Sequence, residues 1–193
     1  MLKARLLAAA LTGAVLLVAG GVWAEDRELA GVTFPEEKEV NGHTLKLNGL
    51  ALRKAMVVVK VFAGGFYLEQ PTQDAETAIE SEQVKHFYLH YLTSKATAKK
   101  LRDGFVEAIT AANPPELVAA HQAEIDQYAQ WLDTDMKPGG ISESIYEPGI
   151  GLTLMINGEK KGTIAGPEFA KLYMRYNLGE KADAQLRKGY LGL

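Results

Sequence analysis

His86 and His90 stand four residues apart, the spacing at which two imidazoles on one helix face can share a metal ion. The segment around them, Val84-Lys85-His86-Phe87-Tyr88-Leu89-His90-Tyr91-Leu92, is rich in aromatic residues and reads as a strand. Four strand residues span roughly 13 Å, too far for both rings to reach one ion. A polar strand face or a pair of packed histidines is therefore the expectation. Asp133-Thr134-Asp135 has the opening of a calcium loop, but Lys137 and Ser144 fall where a ligand and a glutamate should be. A turn that ends a helix accounts for it. Gly158-Glu159-Lys160-Lys161-Gly162-Thr163 has the composition of a phosphate loop without its spacing, and is expected to be a solvated hairpin. Ser142, Ser144 and the four histidines form no Gly-x-Ser-x-Gly elbow. The chain holds no cysteine, which removes thiol nucleophiles, thiolate metal sites and thiol redox chemistry together. Neither a metal nor a cofactor is expected.

Arg53 is different. It lies between Asn48-Gly49 and the apolar run Met56-Val57-Val58-Val59-Lys60-Val61-Phe62. A guanidinium is a permanent cation whose planar fork matches a carboxylate. Beside an apolar wall it suits an acidic, partly hydrophobic ligand. The plain alternative is an exposed strand arginine.

The elements that must position these residues follow from pattern. Glu36–Val40 and His43–Leu47 flank Asn41-Gly42, the strongest short hairpin signal. Asn48-Gly49 punctuates again, and Leu50–Lys54 leads into the run from Met56 to Phe62, read as a strand buried on both faces. Ala63-Gly64-Gly65 marks a bend or a close backbone approach before Phe66-Tyr67-Leu68. Asp74 can cap a short helix. After the strand Val84–Leu92, Ser94 is the expected cap of a helix with Leu101, Phe105, Ala108, Ile109 and Ala112 on one face. Asn113-Pro114-Pro115 ends it and opens a second helix reaching Leu132, antiparallel to the first. Strands are expected at Ser142–Tyr146, Leu152–Ile156 and Lys161–Ala165, the last two joined at Asn157-Gly158. A helix from Pro167 to about Asn177 follows, with Gly179 as a left-handed cap, then a short helix over about Ala182–Tyr190. Segregated runs of strands and helices predict an α+β domain with a mainly antiparallel sheet.

The first residues read as an address. Lys3 and Arg5 precede an apolar run from Leu6 to Val18, and Val22-Trp23-Ala24 offers small residues at a cleavage site. This order is that of a signal peptide over residues 1–24, which leaves 25–193 as one domain in the periplasm or secreted. An uncleaved anchor is the alternative, although the run is short for a span of roughly 20 residues. After cleavage no integral membrane segment remains. The formal charge of −3 and the lack of a basic stripe argue against a nucleic-acid partner.

Two stretches carry a resemblance. Asn48-Gly49-Leu50-Ala51-Leu52-Arg53 with Lys60-Val61-Phe62-Ala63-Gly64-Gly65-Phe66-Tyr67-Leu68-Glu69 is one. Gly162-Thr163-Ile164-Ala165-Gly166-Pro167-Glu168-Phe169-Ala170, followed by Asn177-Leu178-Gly179 and Leu186-Arg187-Lys188-Gly189-Tyr190-Leu191-Gly192, is the other. In order and spacing they resemble the chalcone isomerase superfamily, in its bacterial exported chalcone isomerase-like branch. The resemblance implies an open-faced β-sandwich, a large antiparallel sheet with helices over one face. It also implies an arginine, here Arg53, that in the plant enzymes steadies an enolate during closure of a chalcone ring. The family's catalytic threonine, tyrosine and asparagine fall at or near Phe62, Thr97 and Gly104, so most of that polar set is missing. Other non-catalytic relatives bind fatty acids, with this arginine on the carboxylate, and Phe62 would make the cleft more apolar.

Three functions are thus expected in order. The first is a binding protein for a small amphipathic carboxylate or lipid, such as a fatty acid, held by Arg53, Phe62 and Thr97. The second is an isomerase acting on a chalcone-like enone, with Arg53 catalytic and Thr97, Lys60 or a tyrosine as partner. The third is an envelope partner protein without a small-molecule ligand, favoured if Arg53 is already satisfied by an internal carboxylate such as Glu69 or Glu107.

Overall fold

The computed structural model describes residues 26–56 and 58–193. The expected signal peptide, residues 1–24, lies outside them. In chain order the elements are β1 (Arg27–Leu29), β2 (Val32–Phe34), β3 (Glu37–Val40), β4 (His43–Ala55), β5 (Val59–Leu68), α1 (Ala75–Glu80) and β6 (Lys85–Tyr91). Then come α2 (Ala98–Ala112), α3 (Pro115–Ala120), α4 (Gln122–Trp131), β7 (Ile141–Glu147), β8 (Gly151–Ile156), β9 (Glu159–Ala165), α5 (Pro167–Leu178) and α6 (Ala184–Tyr190). Strands β3 to β9 form one antiparallel sheet in strict sequence order, and β1–β2 is a separate small hairpin. The fold is α+β, a large curled sheet of 7 strands with helices packed on it.

Strand alternation separates two cores. Phe66, Leu68, Phe87, Leu152 and Leu154 join the helices in the larger one. Tyr67, Leu45, Leu47 and Ile145 belong to a smaller one beneath Phe34 of the β1–β2 hairpin. Both expected Asn-Gly turns form. Asn41 and Gly42 sit at φ 51° and 86°, and Asn157 and Gly158 at 51° and 80°, the left-handed pair a tight hairpin requires.

Several expectations need correction. The run from Met56 to Phe62 is not one buried strand. β4 and β5 pair from Lys46↔Leu68 to Ala55↔Val59, so the chain reverses within the run, and Met56 and Val58 are 78% and 80% exposed. Apolarity and β-branching describe a buried strand and an exposed apolar turn equally well. Asn48-Gly49 is not a turn but a register shift inside the 13-residue β4. Its glycine lets α6 close in: a Cβ on Gly49 would lie 2.1 Å from the Gly189 carbonyl oxygen. Of the bend or close approach expected at Ala63-Gly64-Gly65, the close approach is what forms, to Tyr190 at Gly64 and to Phe34 at Gly65.

The helix after β6 is capped by Thr97 rather than Ser94. The helix expected from Pro115 to Leu132 breaks at His121, whose φ and ψ of −117° and 24° interrupt it between α3 and α4. Gly179 has φ −68° and is no left-handed cap. There a Cβ would come within 2.6 Å of the Arg175 carbonyl oxygen. Among the described residues no helix is long and apolar enough to cross a membrane.

Candidate functional site

The helix–sheet interface is closed at one end. Phe66 and Phe87 stack at 4.3 Å between centroids, and Tyr190 meets Phe87 edge-on at 5.0 Å. Tyr128 and Tyr173 each share a 2.8 Å hydrogen bond with the Ser144 hydroxyl, so these buried polar atoms satisfy one another. The shallow hollow beside Lys85, Tyr146 and Met174 has no room for a water molecule.

At the other end the helices stand off the sheet and leave a cleft of about 560 Å³. Ala55, Val59, Val61 and Phe62 of the β4–β5 hairpin form one wall. Leu101, Phe105 and Ala108 of α2 form the facing wall, with Leu186 of α6 and Tyr176 of α5 closing the back. Gly104 of α2 also lines the cleft, with open space where a side chain would begin. Four basic side chains, Arg53, Lys95, Lys100 and Lys181, face two carboxylates, Glu107 and Asp183.

Arg53 and Phe62 come together here as directly opposed residues of β4 and β5. Phe62 is braced edge-on by Tyr91 at 5.7 Å. The third expected residue, Thr97, has another place. Its hydroxyl accepts the Lys100 backbone N–H at 3.4 Å as the cap of α2, and it is not among the cleft-lining residues. Lys60 does not line the cleft either.

The Arg53 guanidinium donates to Asp183 Oδ2. The carboxylate is neither Glu69 nor Glu107. Glu69 instead accepts the Val84 backbone N–H at 2.8 Å and stands by His43. Asp183 Oδ1 meanwhile accepts the backbone N–H groups of Gln185 and Leu186 at 3.0 and 3.1 Å, capping α6. One carboxylate thus fixes the helix with one oxygen and the arginine with the other. Both side chains are about two-fifths exposed, 43% and 38%, so solvent screens the pair. A guanidinium has five N–H donors, and this contact uses one.

Sequence reasoning missed Asp183, Tyr176 and the lysines. Asp183 was legible as a helix cap had the last helix been started two residues later. Tyr176 was read only as an apolar position of its helix. Burial, reinforced by the neighbouring Tyr173 and Tyr91, raises its phenol far above the usual tyrosine value, against the pull of Arg53, so it stays protonated. Arg53 and the lysines can together hold an anionic group in an apolar cleft that Tyr176 closes at the back.

The other candidate groups are structural. His86 is buried in β6, and burial lowers its pKa so that it stays neutral. Its Nε2 lies 3.0 Å from Glu143 Oε2, without the alignment of a hydrogen bond. Asp133 pairs with Lys161 at 3.1 Å, and Asp135 accepts the Ala98 N–H at 2.8 Å at the start of α2. Among the described residues no group of three or more His, Asp or Glu side chains is placed to hold a metal ion.

A family model described as chalcone isomerase-like matches residues 26–192. Comparison with curated proteins finds no match. Among solved structures, the crystal structure of a fatty-acid binding protein of Arabidopsis thaliana is similar, with a TM-score of 0.70 at 15% identity. The superposition covers 86% of this chain and 96% of that one. At that identity the likeness is one of fold.

Proposed function

Since the chain belongs to the chalcone isomerase-like family, we propose that it is a non-catalytic carrier of a small amphipathic carboxylate, such as a fatty acid, acting outside the cytoplasm. The observation that carries this reading is the cleft. About 560 Å³ lies within the roughly 300–1,000 Å³ of small-molecule sites. Its walls are apolar and its basic side chains outnumber its carboxylates. Arg53, held in place by Asp183, offers its remaining donors to the head group, and Phe62 and Leu101 lie along the tail. Charge-assisted hydrogen bonds of this kind are worth roughly 1.5–3 kcal/mol. Arg53→Ala should therefore weaken fatty-acid binding by roughly 10- to 100-fold, measured by calorimetric titration. Mass spectrometry of lipids extracted from the denatured protein should recover a carboxylate. An empty extract together with no affinity in titration would end this reading.

Export is part of the proposal and rests on the residues from Lys3 to Ala24. Amino-terminal sequencing of the protein recovered from the cell envelope should begin at Glu25.

Tyr176 favours a second reading. A protonated phenol in the same cleft as Arg53 is the partner that enolate stabilisation on a chalcone-like enone would need. Ring closure above the solution rate, abolished by Tyr176→Phe, would favour this reading over the carrier. The third role, an envelope partner protein, gains from Arg53 already having a carboxylate and loses from the open space beside it.

A further inference from the structure

The tight reversals of the sheet are not alike, two residues long at Asn41-Gly42 and Asn157-Gly158 and three between Ala55 and Val59. Those at Asn41-Gly42 and Asn157-Gly158 are polar and use residues that accept positive φ. The β4–β5 reversal instead places Met56 at φ 48°, an unfavourable conformation for a long side chain, with Met56 and Val58 both about four-fifths exposed, 78% and 80%. Neither packing nor turn chemistry accounts for methionine and valine there. Directly behind them Lys54 and Lys60 face each other across the hairpin, and like charges at opposed positions destabilise a sheet. Neither is paired with a carboxylate among the described residues. Met56 also lines the cleft, so the apolar tip and the cleft mouth are continuous.

We propose that this tip is a membrane-docking element: Met56 and Val58 enter the acyl boundary of a bilayer while Lys54 and Lys60 meet anionic headgroups. The four residues form a small amphipathic wedge of the kind that binds interfaces through apolar burial plus attraction to acidic lipids. The basic cleft residues Lys95, Lys100 and Lys181 lie on the same side, although the chain as a whole is acidic, at −3. A second copy of the chain fits less well, because tip-to-tip contact would gather four lysines with no counter-charge. Docking here would set the cleft mouth against the lipid phase. That purpose rests on the carrier reading, whereas the docking itself does not.

The absence of cysteine makes the test direct. The full chain carrying Val58→Cys, labelled with an environment-sensitive dye, is mixed with vesicles of phosphatidylcholine with or without phosphatidylglycerol. A control carries the label at Ile150→Cys, another exposed apolar residue. The tip label should shift to the blue and be quenched by brominated acyl chains on the acidic vesicles, and the control should do neither. Lys54→Ala with Lys60→Ala should weaken this response by roughly 30-fold, from the loss of about two headgroup attractions. A tip label that stays in water on vesicles that bind the protein, through its amino-terminal segment for instance, would overturn the proposal. So would a blue shift that appears without vesicles and grows with protein concentration, the mark of self-association. Fatty-acid titration without vesicles reports separately on the carrier reading. Tip insertion with no fatty-acid affinity would sink that reading alone, and fatty-acid affinity without tip insertion would sink this one alone.

Discussion

The two ends of the helix–sheet interface use the same parts to opposite effect. At the closed end aromatic rings of β5, β6, α5 and α6 fill the space between layers, and buried hydroxyls find partners. At the open end β4 and β5 diverge from α2, α5 and α6, and most of the polar groups that remain are charged, with the Arg53–Asp183 pair partly wet. On the carrier reading, stability and ligand recognition are therefore separable along one molecule. A domain can give one end of its core to binding when the other end is packed to interior density.

The largest test of that division is Phe87→Ala. Phe87 is 1% exposed and its removal leaves a cavity, with an expected loss of about 3–5 kcal/mol in urea unfolding. Phe62→Ala at the open end should cost about 1 kcal/mol or less, because solvent already reaches the space it leaves. Equal losses at the two sites would erase the distinction.

Charge gives a second, smaller contrast. Lys85, 2% exposed, donates to the Ile79 carbonyl at 2.6 Å, and burial lowers its pKa to about 8. Its folded value lies below the unfolded one of about 10.4, so between them the unfolded chain binds the extra proton and stability must rise with pH. Lys85 by itself contributes a gain of about 2 kcal/mol from pH 8 to 10, read as the difference between the wild type and Lys85→Met. Buried phenols such as Tyr91, raised to about 12, oppose this contribution as the pH nears 10, because they hold their protons in the fold and release them on unfolding. Lys85→Met should flatten the rise, as denaturant titrations across pH would show.

Ser144→Ala should cost about 1–2 kcal/mol by leaving two buried phenols with poorer partners. Smallest of all is the stability effect of Arg53→Ala, under about 1 kcal/mol for a solvent-screened pair, despite its large expected effect on binding. A much larger loss in thermal melting would make Arg53 a structural residue and weaken the carrier reading.

Much of this was legible in advance, for physical reasons. The Asn-Gly pairs announced their hairpins because few residues accept the backbone they need. Arg53 and Phe62 were drawn to the same site by motif and by their place beside the apolar run. What stayed hidden depended on depth and on distant partners. Met56 and Val58 looked like core because hydrophobicity reports what a residue would gain from burial, not whether it is buried. Asp183 could not be joined to Arg53, since 130 residues separate them. Thr97 was placed in the cleft by the family resemblance, but its local chemistry as a helix cap fixes it elsewhere.

The meeting of Asn48 with Tyr190 bears on how the protein is made. Asn48 Nδ2 donates to the Tyr190 carbonyl at 2.7 Å across 142 residues, and its Oδ1 accepts the Thr72 N–H at 2.6 Å. Until residue 190 has left the ribosome, one face of β4 has nothing to cover it, however much of the meander has already paired. Closing so long a loop comes late and is slow. A chain stalled or cut short of α6 would therefore show its apolar sheet to chaperones and proteases, and quality control of the whole domain falls to the residues synthesised after Asp183.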